Sequence, residues 1–206
     1  RIDPRRNVWL QNTGAMASRI EEIPYVLTAH VHRQPPGDVT IAIVERRPFA
    51  LVRSGDEMAL IDASLRVLDV GGDANGAMPL LVLEPGIDLA PGRTLRQSSA
   101  RALLAVTLSL RAHGVAADEV DDEGGDVRVR LPGGARVLLG DETSATKAVP
   151  LVEPILTRFA LLGREVRVLD LRSPTTPVVT EGGQSAPAPA PKPTAPESPP
   201  APRRSP

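Results

Sequence analysis

The chain has 206 residues, 41% of them hydrophobic, and its 24 basic side chains are balanced by 25 acidic ones for a net charge of −1. That length fits one large or two small packed domains, and the balanced charge provides no field that would gather phosphate backbones. Cysteine is absent and the aromatics are limited to Trp9, Tyr25, Phe49 and Phe159, so disulfides, thiol nucleophiles, thiolate metal sites and stacking platforms for single-stranded nucleic acid are all excluded.

In chain order, the first predicted element is a helix over residues 13 to 23. Met16, Ile20 and Ile23 recur at helical spacing, Asn12 or Thr13 can cap its start, and Pro24 ends it. A strand follows in which Leu27, Ala29 and Val31 face one way and Thr28, His30 and His32 the other. The segment Pro35-Pro36-Gly37-Asp38 cannot continue a ladder and makes the turn. Val39, Ile41 and Ile43 then line one face of a second strand, the pattern of an antiparallel pair backed by a helix.

Beyond Pro48 the pattern changes to short strands at Phe49 to Arg53, Met58 to Asp62, Val67 to Val70 and Pro79 to Leu83, with a glycine-rich loop after Val70. An amphipathic helix runs from about Thr94 to His113, with Leu103, Val106 and Leu110 on its apolar face and Gly114 at its end. Strands at Val127 to Leu131 and Arg136 to Leu139 precede a helical segment from Ser144 to Leu162. Pro150 and Pro154 are expected to break that helix, bend it or delay its start. Strands at Glu165 to Leu171 and Pro177 to Glu181 close the pattern, and the Pro/Ala-rich remainder cannot bury enough apolar surface to order itself. The fold class expected is α+β: a helix with an antiparallel strand pair, then a mixed α+β domain rich in antiparallel strands.

Several motifs resemble one family in their order and spacing. Ile23-Pro24-Tyr25-Val26 followed by Val44-Glu45-Arg46-Arg47-Pro48 resembles the end of the POTRA domain in bacterial division proteins of the FtsQ/DivIB family. Met58-Ala59-Leu60-Ile61-Asp62 with Val67-Leu68 is similar to that family's next hairpin, although Leu65 stands where glycine is usual. Pro79-Leu80-Leu81, Arg136 to Gly140 with Lys147, and Glu165 to Arg172 resemble its later elements. The resemblance implies a partial POTRA domain at 1–48, a β domain of FtsQ type at 49–183 and a disordered tail at 184–206.

It also implies a non-catalytic divisome scaffold on the extracytoplasmic face of the plasma membrane, recruiting or stabilising small membrane division proteins during septum formation. No apolar run here is long enough to cross a bilayer and Arg1 opens no signal peptide, so the family's single-pass anchor is expected upstream, with the first strand and helix of the POTRA domain. The alternative is a POTRA-bearing module that receives client polypeptides in outer-membrane assembly or secretion; several repeats and a barrel region would then be expected.

The residues offer no constellation for catalysis. His30 and His32 share a strand face but lack a third ligand nearby, no Gly-x-Ser-x-Gly elbow accompanies a histidine, and Asp118, Glu119, Asp121, Asp122 and Glu123 lack the alternation of a calcium loop and read as a solvated loop. No enzyme activity, cofactor, metal, small-molecule substrate or nucleic-acid partner is expected. Glu45, Arg46, Arg47 and Pro48 form either a plain polar strand exit or an interdomain hinge, since Pro48 keeps Arg47 extended; in the hinge, Glu45 is expected to pair with a basic residue of the first domain. The family resemblance places coiled-coil partners of the FtsB/FtsL type at the last strand. Val178, Val179 and Thr180 are accordingly carried over as partner contacts, where the alternative is an ordinary edge strand or the start of the tail.

Overall fold

The computed structural model describes residues 12–35, 37–71 and 78–182. Pro36 of the first turn, most of the glycine-rich loop and the Pro-rich tail lie outside the described residues. The first element, α1 (Thr13–Glu21), starts where the Asn12 side chain accepts hydrogen bonds from the amides of Gly14 and Ala15 at 2.9 and 3.2 Å, which satisfies amides that have no partner within the helix. Ile23 falls beyond the helix end, because Pro24 disfavours helical geometry at the residue before it.

Strands β1 (Val26–Gln34) and β2 (Asp38–Glu45) form an antiparallel pair of their own. Ala29, Val31 and Arg33 stand opposite Ile43, Ile41 and Val39. Leu27 departs from the expected face: an irregularity between Val26 and Thr28 breaks the alternation and leaves it 45% exposed. A Glu21 carboxylate oxygen accepts from the Ala29 amide at 2.9 Å and fastens the end of α1 to β1. Ala29 is buried, yet Ile41 and Ile43 remain 39% and 49% exposed.

The rest of the chain builds a nine-stranded mixed sheet from β3 (Pro48–Ser54), β4 (Glu57–Asp62), β5 (Val67–Val70), β6 (Leu80–Leu83), β7 (Glu119–Glu123), β8 (Asp126–Arg130), β9 (Arg136–Gly140), β10 (Val166–Asp170) and β11 (Val178–Glu181). Their order is β11-β10-β9-β8-β7-β6-β3-β4-β5. Helices α2 (Ser98–Ala112) and α3 (Glu142–Leu161) connect β6 to β7 and β9 to β10, and both pairs are parallel neighbours. The fold is α+β, as the alternating apolar patterns predict.

The registers explain the core. Read across eight strands, one row runs Ala59, Val52, Leu81, Val120, Val129, Val137, Leu169 and Val179. All of these except Val179 are buried, and they pack with Leu103, Val106 and Leu110 of α2 and Ala145, Ala148, Val149 and Val152 of α3. The next row has side chains on the opposite face and runs Leu60, Leu51, Leu80, Glu119, Arg130, Arg136, Val168 and Thr180. Helices therefore cover one face of the sheet and leave the other mixed in polarity.

Two sequence expectations are corrected. From Glu119 to Glu123 the acidic cluster is a strand rather than a solvated loop: Arg130 meets Glu119 at 2.8 Å, Arg128 meets Asp121 at 2.8 Å and also Glu123, and Val120 sits in the core row. Opposite charges across a ladder stabilise it, and those partners lie on a different strand. Helix α3 runs unbroken through Pro150 and Pro154. The two prolines are one turn apart and both exposed, so the carbonyls they leave unbonded at Thr146 and Pro150 face the solvent side, and the buried face of Ala145, Ala148, Val149 and Val152 holds the helix in place.

Candidate functional site

Of the two edges of the large sheet, β5 is occupied at its first residue and β11 is open among the described residues. The outer side of Val67 is hydrogen-bonded by the 92–95 segment: its amide donates to Arg93 O at 2.7 Å and its carbonyl accepts from Gly92 at 2.8 Å. Leu95 adds a bond to Leu65 O at 2.9 Å, and Arg66 bridges to Thr94. Strand β11 pairs with β10 along one side only, with Asp170 opposite Val178, Leu169 opposite Val179 and Val168 opposite Thr180. Its other side has no strand partner among the described residues.

The side chains of β11 alternate in keeping with that position. Val179 is half-buried against the core, while Val178 is 57% exposed and Thr180 is exposed. The C-terminal end of the strand is tied down. Arg164 meets Glu181 at 3.1 Å and Gly182 N donates to Glu165 O at 2.9 Å. At the other end Arg172 folds back on Asp170, with Nη2 at 2.6 Å from Oδ2 and its amide at 3.1 Å from Oδ1. That side-chain bond from Arg172 holds the Asp170 carboxyl below the usual carboxylate range, against a smaller opposing effect of burial.

Gly140 sets the position of this corner. Its φ is +74°, and a Cβ there would stand 3.3 Å from Ser144 Cβ and 3.4 Å from the Arg172 backbone, so a side chain would push Arg172 away from the start of α3. The chain then turns at Ser173 to Thr176, where the Thr176 amide donates to Ser173 O at 2.9 Å, and Pro177 delivers it into β11.

The four junction residues form a second constellation. Glu45 ends β2, exposed and without an ion pair among the described residues, so the pairing expected of it is not found. Arg46 makes the charged contacts instead, because it follows the strand and turns inward. Its Nη1 donates to Asp62 Oδ2 at 2.8 Å and its Nε to Val26 O at 3.1 Å. Arg47 and Pro48 are exposed and extended toward β3. Burial would raise the pKa of Asp62, but bonds from Ser64, Arg46 and the Arg66 and Ser64 amides outweigh it and hold the carboxyl below its ordinary value. Sequence reading missed Asp62 and Ser64 as partners of Arg46, and Arg66 as a further partner of Asp62; their only signal was a carboxylate placed at a strand end just before a turn.

His30 and His32 lie on the exposed face of β1, opposite Ala42 and Thr40. Among the described residues no group of three or more potential metal-ligating side chains comes together, and no helix is long and apolar enough to cross a membrane.

A family model described as the POTRA domain of FtsQ type matches residues 1–46, ending at the arginine that contacts Asp62. The cell division protein FtsQ of Novosphingobium aromaticivorans is 28% identical over 161 residues, 78% of this chain and 48% of that protein. These matches support the FtsQ/DivIB family. The chain spans about half the length of this FtsQ relative. A solved structure of the major extracytoplasmic domain of the cell division protein DivIB from Geobacillus stearothermophilus aligns at 15% identity with a TM-score of 0.36, covering 56% of this chain and 97% of that one.

Proposed function

We propose that this chain is an extracytoplasmic part of an FtsQ-type division scaffold, non-catalytic, which recruits or stabilises small coiled-coil membrane proteins of the FtsB/FtsL type during septum formation. The observation that carries this reading is the asymmetry of the sheet: the outer side of Val67 on the β5 edge is hydrogen-bonded by residues 92–95, and the β11 edge has no strand partner among the described residues. A free edge accepts a partner strand through backbone hydrogen bonds, with alternate side chains giving selectivity. In this reading Val178, Val179 and Thr180 are the contact residues, and Val178 supplies the exposed apolar one.

The domain boundaries proposed with it are a partial POTRA domain at 1–48, a β domain at 49–183 and a tail at 184–206. The half-exposed Ile41 and Ile43 support the first of these, because a two-stranded sheet that leaves two branched apolar side chains in water suits a domain with a further element packed on that face. A membrane anchor upstream would then hold the protein at the outer surface of the plasma membrane.

The test is capture of a purified FtsB/FtsL-type pair on the immobilised chain. Removing residues from Ser173 onward is expected to abolish capture. Val179→Pro, which removes an amide that faces away from β10 and clashes with a docking strand, is expected to weaken it about tenfold, the cost of one or two hydrogen bonds. Capture unchanged by both would overturn the assignment of β11.

A further inference from the structure

The junction between the two sheets has the chemistry of a closed clasp rather than of a loose connection. Arg46 is bonded to both sides of it. On the side of the small sheet its amide donates to Tyr25 O at 2.7 Å and its Nε to Val26 O at 3.1 Å. On the side of the large sheet its Nη1 donates to Asp62 Oδ2 at 2.8 Å and to Ser64 Oγ at 3.3 Å. Both partners of the ion pair are largely screened from water, with side chains 14% and 8% exposed.

Asp62 is itself held in place. Its second oxygen accepts from Ser64 N, Ser64 Oγ and Arg66 N at 2.8, 2.6 and 3.0 Å. Those bonds fix the β4–β5 turn, in which Leu65 takes φ +63°, and aim the remaining oxygen at Arg46. The turn also reaches back: Arg66 Nη2 lies 3.4 Å from Glu21 O at the end of α1. Gly92, at φ +82°, brings the edge-capping segment against the same place, so that a Cβ there would lie 3.7 Å from both Arg66 Nη2 and Pro24 Cγ. Contacts therefore cross the junction at two points on either side of the covalent link through Arg47 and Pro48.

We propose that Arg46 and Asp62 form a clamp that fixes the angle between the small sheet and the nine-stranded sheet, so that the two move as one body. A guanidinium suits this role because its planar fork can serve a carbonyl on one sheet and a carboxylate on the other at once, which a lysine ammonium on a flexible stem does not reproduce. The clamp goes beyond the partner reading and does not depend on it, since none of its residues lies in or near β11. Its effect is to hold the small sheet in a fixed orientation toward the strand edge at the far end of the large one.

The absence of native cysteine makes the test direct. Cysteines placed at the exposed positions Thr40 on β2 and Thr143 on α3 are spin-labelled and the distance between them is read by pulsed electron resonance. The parent chain is expected to give one narrow distribution. Asp62→Asn and Arg46→Lys are expected to broaden it, with unchanged circular dichroism. Because removing one charge strands the other in a buried site, the double variant Arg46→Met with Asp62→Leu is measured as well: it leaves no unpaired charge, so it is expected to fold while lacking the clamp. A folded double variant that keeps the narrow parental distance overturns the proposal.

Discussion

Leu65 faces two opposed demands, a left-handed backbone at φ +63° and a side chain that is only 4% exposed in the core. The backbone costs about 1–2 kcal/mol for a residue with a Cβ, and the buried leucine offsets it, since truncation of such a side chain costs about 2–5 kcal/mol. Leu65→Ala is expected to lose the second without recovering the first, whereas Leu65→Gly recovers about 1 kcal/mol. The glycine variant should then be the more stable of the two in urea denaturation, the reverse of the usual order. Asp62 gives a second prediction at this scale. Its folded pKa is depressed, so the stability it contributes is present above the unfolded value of about 3.9 and is lost as pH falls through the lower, folded one. Asp62→Asn is expected to cost about 1–3 kcal/mol at neutral pH and to flatten the decline in stability below about pH 4, measured by denaturation at a series of pH values. Departure from glycine at position 65 was visible in the sequence as a demand for unusual turn geometry. The Arg46 contact was not, because its partners lie 16 and 18 residues away, at the end of another strand and in the turn that follows it.

At the scale of elements, α3 carries two prolines where a continuous helix would have amide donors. The helix persists because tertiary burial of its opposite face outweighs propensity. Pro150→Ala restores a donor on an exposed face, and its expected effect is a gain of about 1–2 kcal/mol, less than the full proline penalty of about 3 kcal/mol because the unfolded chain becomes freer as well. Calorimetry of the single variant decides it; a fall in melting temperature would mean that the proline is needed where it stands. Strands with short apolar runs, such as β3, β8 and β9, were legible within a residue or two. Strand β7 was not, because four of its five residues are acidic and only Val120 shows the period. Its identity depends on arginines at Arg128 and Arg130, information that a window on one segment does not contain.

For the whole molecule, the α+β class and the helices could be read from periodicity, but the order of the strands could not. Parallel neighbours such as β3 with β6 and β9 with β10 are far apart in sequence, and nothing local in their residues names the neighbour. The same holds for the two constellations. Val178 to Thr180 looked like a strand, but that it would be the free margin follows only from the topology. Arg46 to Pro48 looked like a link, but that it would be bonded on both sides follows only from how the sheets pack.

One consequence of the occupied β5 margin concerns how copies of the chain can meet. Strand pairing from β11 of one molecule to β5 of the next would repeat without closing and grow a fibre, yet Val67 has already given its outer donor and acceptor to residues 92–95. Two β11 margins brought together instead make a contact that closes on itself after two chains. At Val67, then, the large sheet is already closed to a further strand, and among the described residues its extension by a partner or a twin is directed to β11.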